Sequence, residues 1–559
     1  MLQERMSANR WFHSTVQELF AETCRDRSEK TAMVFEEERI TFGELQEKVN
    51  RCSQALMDLG VRPGDHVITL PTVCPEFAYV YFATLQIGAL INPLNLFWGE
   101  IEFSGILPRN DPKVIVTIDE NRGRDYVQVL RQSIPDLKIG DQTVSSKTIP
   151  TLTHLVSLSR KGNRHEGFLD FNDLMESTTK VDEGEIAGRI EKAKCTDIQF
   201  MCQTSGSTGL SKSALWNHRP PLASSHFVAR ASNYTEEDSF ICMSPFFHNS
   251  GINGLNMALA YSGTTMYLME NFDPQAAMEL MDRYEPTSTV GFDAHYQALR
   301  MVQQATGLRF SITKALGAIT PQTYDMIEQE LCKDRDVNIV MLYAQTENGP
   351  AVSFGEPDCM TRELKRSTNG RPLPGVAVVI KDIATGERLR PDEQGEICYK
   401  SPFMLSGYYK QEEETKKLFD EEGYLHSGDY GTFQDGYICF LGRLGGVVKS
   451  GGENVSTTYV SSLLLEIFID TFEDVLTFGV PDPYWGSKIV SFVRLRSGKK
   501  LMEAKEIRSR CKGKMAEYEI PKEILEWEGP WPMTVVGKMD LKALEKALEE
   551  RLAKPHERG

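Results

Sequence analysis

Apolar runs of strand length alternate with helix-length amphipathic patterns through most of the chain, and that alternation narrows the fold more than any other feature. Strands that must be covered by helices belong in layered sheets, so the expected class is α/β. One helix is legible from end to end. Thr41 and Glu44 have capping-box spacing, and Leu45, Val49, Cys52, Leu56 and Leu59 then recur at helical period. Gly60 is a natural stop, and Pro63-Gly64-Asp65 turns the chain into a strand over residues 66–70. The apolar stretch from Phe77 to Ile91 is 15 residues long. A bilayer-spanning helix needs about 20, so a buried helix is expected there. The polar segment 137–194 reads as a long decorated connection. Strand-like pieces follow over 197–202, 214–216, 475–480 and 489–495. Leu541, Leu544, Leu548 and Leu552 then make one apolar stripe on a closing helix, read as a packing face.

The chain of 559 residues carries 62 basic and 79 acidic side chains, a net charge of −17. This disfavours nucleic acid and anionic membranes as partners, which call for a basic footprint. It leaves room for a small polyanion held by a local cluster of donors. The eleven cysteines have no CxxC pair, which fits reduced thiols in a cytoplasmic protein better than a disulfide frame or zinc site. The N-terminal stretch MLQERMSANRWFHS lacks an apolar signal core.

The stretch Gln203-Thr204-Ser205-Gly206-Ser207-Thr208-Gly209-Leu210-Ser211-Lys212 concentrates hydroxyls, two glycines and a lysine. Backbone N–H groups at glycine turns converge readily on anionic oxygens, and a lysine adds a point charge. It is not a Walker A sequence, because Ser211 stands where a glycine would precede the lysine. The loop is flanked by two strand-like pieces and opens no helix. A phosphate cradle and a flexible linker are both open readings of this loop by itself.

Further motifs follow in order: Tyr343-Ala344-Gln345-Thr346-Glu347, His426-Ser427-Gly428-Asp429, Gly442-Arg443, Lys449-Ser450-Gly451-Gly452-Glu453-Asn454-Val455, and Pro532-Met533-Thr534-Val535-Val536-Gly537-Lys538. With the loop, the set resembles the adenylate-forming superfamily of acyl-CoA synthetases, luciferases and peptide-synthetase adenylation domains. The resemblance runs from about Trp11 to Leu548. It implies a large N-terminal domain of layered α/β sheets with a small barrel-like part (residues 1–442), a hinge at 443–446, and a small mobile α+β domain (447–559) that carries the catalytic lysine.

The same resemblance implies the roles. Thr204, Ser205, Gly206, Ser207, Thr208, Gly209 and Lys212 would hold the ATP phosphates. Glu347 would ligate Mg²⁺, with Thr204 or Thr346 close by. Tyr343, Thr346, Gly317 and Ala318 would surround the adenylate, Asp429 would accept the ribose hydroxyls, and Arg443 is its basic neighbour. His248 matches a segment that flanks the acyl carboxylate, the thiol tunnel or both. Phe292, His295 and Ala344 would line the acyl pocket, and Tyr296 adds a second aromatic hint of an apolar acyl group. Lys449, Gly451 and Gly452 would meet CoA after a domain rotation. Lys538 would bridge the carboxylate and the α-phosphate.

The sequence departs from the family pattern at Ser213, Ala344, Gly446 and Ser456, none of which removes a charge that the chemistry needs. The implied reaction is carboxylate + ATP + CoA to acyl-CoA + AMP + pyrophosphate, on a medium-chain, alicyclic or aromatic acid. ATP, Mg²⁺ and CoA are the expected cofactor and co-substrates. CoA is favoured as acceptor because no carrier-protein domain follows Lys538. A stand-alone adenylation enzyme that loads a carrier protein and a non-catalytic nucleotide-binding relative are the alternatives. The sequence leaves the oligomeric state open.

Overall fold

The computed structural model describes residues 1–552 except 205–210, 350, 357–359, 451–452, 483, 513 and 534–538. Ser205, Gly206, Ser207, Thr208, Gly209, Gly451, Gly452 and Lys538 lie outside the described residues. The chain divides into two compact units. The first comprises Met1–Val378, Tyr399–Leu425 and Gly436–Ile438, and the second Val379–Cys398, His426–Asp435 and Cys439–Gly559. The expected hinge at 443–446 falls within the second unit, where Leu444–Gly446 form a single 3-10 turn between two strands.

Two sheets build the first unit. The larger has nine strands, and its centre is parallel: Thr31–Phe35, Thr265–Leu268, Ser239–Ile241, Ser288–Val290, Lys314–Gly317 and Asn338–Tyr343 lie side by side in that order. The chain leaves Ser239–Ile241 for the neighbour on one side, then crosses to Ser288–Val290 on the other. Strand order therefore reverses between Ser239–Ile241 and Ser288–Val290. A crevice opens at the carboxyl ends of such a pair because the two connecting segments diverge. The second sheet has seven strands, with His66–Leu70 between Leu90–Pro93 and Pro112–Ile118, and ends in the antiparallel pair Phe200–Gln203 and Ser213–Trp216.

The local expectations can be followed residue by residue. The helix Phe42–Asp58 begins on a Thr41–Glu44 capping box and is followed by the strand His66–Leu70. The apolar stretch from Phe77 is shared between the helix Pro75–Gln86, buried all round apart from half-buried Glu76, and the strand Leu90–Pro93, which takes its last two residues. The segment 137–194 holds more than a connection. His154–Leu158 pairs in parallel with Pro112–Ile118, and Leu169–Asp170 adds the next strand. The strand expected from residue 197 begins at Phe200, because the Asp197 carboxylate takes the Lys194 N–H at 2.8 Å and closes a turn there.

In the second unit Phe472–Asp482 and Gly486–Leu495 form a long hairpin. Side chains on a strand alternate between faces. Ile489 and Val493 pack in one cluster with Val460 and Leu464 of the helix Thr457–Ile467, whereas Val490 and Phe492 meet Leu544 and Leu548 of the helix Leu541–Leu552. The leucine stripe of that last helix is thus a packing face, although Leu541 at its start is exposed.

His218 ties the helix Val16–Asp26 to the second sheet. The Val16 N–H donates to Nδ1 at 3.3 Å, so the neutral ring carries its proton on Nε2 and donates to Gln199 Oε1 at 2.6 Å. Burial lowers its pKa to about 3, and burial likewise lowers His226 and His295 to about 4. Below the unfolded-state value the unfolded chain takes up protons that the folded chain refuses, so stability is complete above about pH 6.5 and falls as pH drops toward 4. Replacing His218 with Gln is expected to flatten the urea-denaturation stability slope by up to about 1.4 kcal/mol per pH unit between about pH 4 and pH 6.

Candidate active site

The hairpin that carries the hydroxyl-rich loop is closed at its base by backbone bonds. Gln203 pairs with Ser213 in antiparallel register, the Thr204 N–H donates to Lys212 O at 2.9 Å, and the Lys212 N–H donates to Thr204 Oγ1 at 3.2 Å. The loop therefore joins two strands and opens no helix. The Ser211 hydroxyl donates to Thr204 O, and the Arg109 guanidinium donates to Ser211 O. The Ser213 hydroxyl is wholly buried between Asn110 Oδ1 at 3.0 Å and Gln203 Oε1 at 3.1 Å, so this departure from the family pattern is accommodated by two amide side chains.

Segment 405–409 runs beside Ser213–Trp216 as an extra backbone partner. Ser406 N–H donates to Leu215 O, Leu215 N–H to Gly407 O, and Tyr409 N–H to Ser213 O, at 2.7 to 2.9 Å. These bonds fix Tyr408, whose hydroxyl donates to Glu347 Oε1 at 2.7 Å. Lys212 Nζ lies 5.2 Å from the centre of the Tyr408 ring and pairs with Glu414 at 2.8 Å. Burial and the Glu347 carboxylate both raise the Tyr408 pKa, so the hydroxyl remains a donor. The hydrogen bond from Lys212, with Lys417 next, holds Glu414 down at about 2. Glu347 follows the strand Asn338–Tyr343 of the larger sheet, and Lys212 precedes Ser213–Trp216 of the smaller one. Trp216 Nε1 donates to Thr346 O at 3.0 Å, and Leu405 N–H donates to Glu347 O at 2.8 Å. The carboxyl ends of two sheets thus meet at one cation and one carboxylate.

Beside this lies the crevice of the larger sheet. His248 follows Ser239–Ile241, and its ring caps the helix Asn249–Leu255: Nδ1 accepts the Ser250 N–H at 3.3 Å and lies 2.8 Å from Ser250 Oγ. That helix starts hard against the preceding turn. A Cβ on Gly251 would sit 2.2 Å from Pro245 O, so only glycine fits. His248 is exposed, yet the protein around it lowers its pKa by desolvation, as expected for a ring on a cleft wall. Phe292 follows Ser288–Val290 and meets His248 edge-on with ring centres 6.0 Å apart. His295 lies 5.7 Å from Phe292 and 4.6 Å from Phe272. Its lowered pKa, caused by burial and then by His248, keeps it neutral at pH 7. His248, Phe292 and His295 therefore form one aromatic wall. Tyr296 does not belong to it. Its ring is fully buried in the core and its hydroxyl donates to Leu316 O at 3.1 Å.

Gly317 and exposed Ala318 end the next strand, and Tyr343, which is buried, ends the one after; Ala344 beyond it is exposed. In the second unit, Asp429 is buried and its Oδ1 lies 3.0 Å from Nε of exposed Arg443. The turn before it is held by Glu396, which sequence reasoning missed. Gly428 N–H donates to its Oε1 at 2.8 Å, and His426 Nδ1 lies 2.7 Å from its Oε2. Lys449 is exposed on the strand Val447–Ser450. Tyr408, Glu414 and Arg109 were also missed, because no local pattern marks a side chain whose partner lies 61, 202 or 102 positions away.

Polar groups at the carboxyl ends of parallel strands, with an aromatic wall on the same sheet, mark the usual place of a ligand site in an α/β fold. The model of the AMP-binding enzyme family matches residues 20–409, and that of the AMP-binding enzyme C-terminal domain matches residues 470–538. The chain belongs to the AMP-binding enzyme family. It is 25% identical over 557 residues to the human medium-chain acyl-CoA ligase ACSF2, covering 96% of this chain and 88% of that protein. It is 27% identical over 507 residues to a Rhodococcus jostii enzyme, 3-[(3aS,4S,7aS)-7a-methyl-1,5-dioxo-octahydro-1H-inden-4-yl]propanoyl:CoA ligase, covering 90% and 92% of the two. Its fold matches the crystal structure of the anthranilate CoA ligase AuaEII in complex with anthranoyl-AMP, with a TM-score of 0.80, 22% identity, and 97% and 98% of the two chains covered.

Removing the Tyr408 hydroxyl tests the junction of the two sheets. Tyr408→Phe is expected to weaken ATP affinity about tenfold by titration calorimetry, the scale of one hydrogen bond to a charged group.

Proposed function

We propose that the protein is an acyl-CoA synthetase that joins a carboxylic acid to CoA in two steps, with AMP and pyrophosphate as the other products. The observation that carries this reading is the junction of Lys212 and Glu347 through Tyr408, with the His248–Phe292–His295 wall on the same unit. The full-length kinship with acyl-CoA ligases supports it.

The chemistry demands such a site. A carboxylate is a poor electrophile, and its attack on ATP brings two anions together. Two unit charges 4 Å apart repel by about 1 kcal/mol in water and more in a drier site. Placed cations and donors are then the main means of lowering the barrier. In this reading Thr204, Lys212 and the loop residues 205–209 hold the β- and γ-phosphates. Glu347 and Thr204 offer only oxygen donors, a set suited to Mg²⁺, which would neutralise phosphate charge. Tyr343, Thr346, Gly317 and Ala318 border the adenylate, and buried Asp429, paired with Arg443, accepts the ribose hydroxyls. His248, Phe292, His295 and Ala344 line the acyl pocket. The aromatic, uncharged character of the first three suits an acid whose far end is apolar. Lys538 is assigned to the carboxylate and α-phosphate, and Lys449, Gly451 and Gly452 to the thiol acceptor.

We also assign residues 1–442 and 447–559 as functional domains that alternate about 443–446. A Cβ on Gly445 would touch nothing, so the turn offers little steric resistance to rotation. Among the described residues no helix is long and apolar enough to cross a membrane. The ten described cysteines are free thiols, in keeping with the reducing cytoplasm to which we assign the protein.

The test is a panel of medium-chain, alicyclic and aromatic acids with ATP, read as CoA-dependent AMP release and as acyl-CoA by mass spectrometry. Acid-dependent pyrophosphate exchange without CoA-dependent turnover would move the acceptor to a carrier protein. Nucleotide binding with neither activity would leave a non-catalytic relative. Lys538→Ala is expected to slow adenylation by roughly 10²–10³. It should spare thioester formation from a supplied acyl-adenylate; equal loss in both half-reactions would refute the assignment.

A further inference from the structure

Asp293 is the first residue of the helix Asp293–Thr306, a position where an acid ordinarily complements the helix dipole and faces water. Here it does something more specific. Its Oδ1 accepts the Thr320 N–H at 2.9 Å, the Thr320 hydroxyl at 2.7 Å, and the Thr323 hydroxyl. Thr320 in turn caps the next helix, Pro321–Met326, by accepting the Thr323 N–H at 3.3 Å. One carboxylate oxygen therefore ties together the starts of two successive helices. It also ties the two strand-end loops that lead into them, 291–292 and 318–319.

The backbone shows the same closeness independently. A Cβ on Gly317 would lie 2.2 Å from Gly291 O, and the Gly291 N–H donates to Leu316 O at 2.9 Å. These loops carry Phe292 on one side and Gly317 and Ala318 on the other. They are neighbouring walls of the cleft where the acyl group and the adenylate would meet. Hydrogen bonds to an ionised oxygen are among the stronger ones, and three on one atom leave the loops little freedom to separate.

We propose that Asp293 is a positioning residue that sets the spacing between the aromatic wall and the Gly317–Thr320 loop, and so sets the width of acid that the site accepts. This rests on the assignment of that cleft to the acyl group and adenylate. Asp293 acts through its neighbours and needs no contact with the substrate.

The test compares Asp293→Ala and Asp293→Asn in the full-length protein. Asp293→Ala is expected to raise the KM for the preferred acid about tenfold with kcat within about threefold, the split expected when positioning contacts are lost and the reacting groups remain. Its kcat/KM ranking should shift toward wider acids. Asp293→Asn retains an Oδ1 acceptor and should recover most of the loss. Amide hydrogen exchange of a peptide spanning Thr320 to Thr323 should accelerate in the alanine variant only. Faster exchange with unchanged KM and unchanged acid ranking would overturn the proposal and make the bridge a purely structural one. Unchanged exchange would overturn it as well, since no bridge would then exist. If the wild-type protein forms no acyl-CoA, the functional reading fails by itself. The positioning role is then decided by AMP affinity, which loosening of Gly317 and Ala318 should weaken about fivefold, and an unchanged affinity would sink it.

Discussion

The hydrogen bond from Tyr408 to Glu347 is where two sheets become one site. Glu347 belongs to the end of one sheet and Lys212 to the end of the other. Neither can be placed relative to the other by its own strand. Residues 405–409 solve this with backbone, not side-chain, bonds, running along Ser213–Trp216 and presenting Tyr408 to the opposite carboxylate. A main-chain ladder holds position more tightly than packing of flexible side chains. That matters because a reacting geometry loosened by about 1 Å can lose a hundredfold in rate.

The electrostatics look contradictory only on the scale of the whole molecule. The chain is net −17, yet its proposed substrates are anions. At physiological ionic strength, charges farther apart than about 8 Å are largely screened. What counts is then the local arrangement: Lys212 beside Tyr408, with Glu347 and Glu414 as its acidic neighbours, and Arg109 bound to the base of the same loop. The sign of the net charge therefore does not decide whether the proposed small-anion site can work.

Much of the fold was open to inspection in the sequence because the responsible interactions are local. The Thr41–Glu44 box and the strand-like apolar run from Ile489 depend on residues a few positions apart. Motif order singled out His248, Phe292 and His295 in the sequence, and their rings lie together in the structure. Three kinds of feature escaped. The strand His154–Leu158 sits in a polar neighbourhood, and only its partner Pro112–Ile118 makes it a strand. Tyr296 is four residues from its Phe292 neighbour, but the helix turns it into the core. Tyr408, Glu396 and Asp293 act on partners 61, 32 and 27 residues away, and separations of that kind leave no periodic trace.

The Lys212–Glu414 ion pair gives the lysine at the foot of the loop a resident counter-ion. Under the proposed function, an incoming polyphosphate would not meet a bare ammonium but would displace a carboxylate, so binding there would be an exchange of partners. On that reading the acid on the helix Glu412–Lys416 would act as a threshold, favouring a ligand dense enough in charge to outbid it over one that merely happens to be negative.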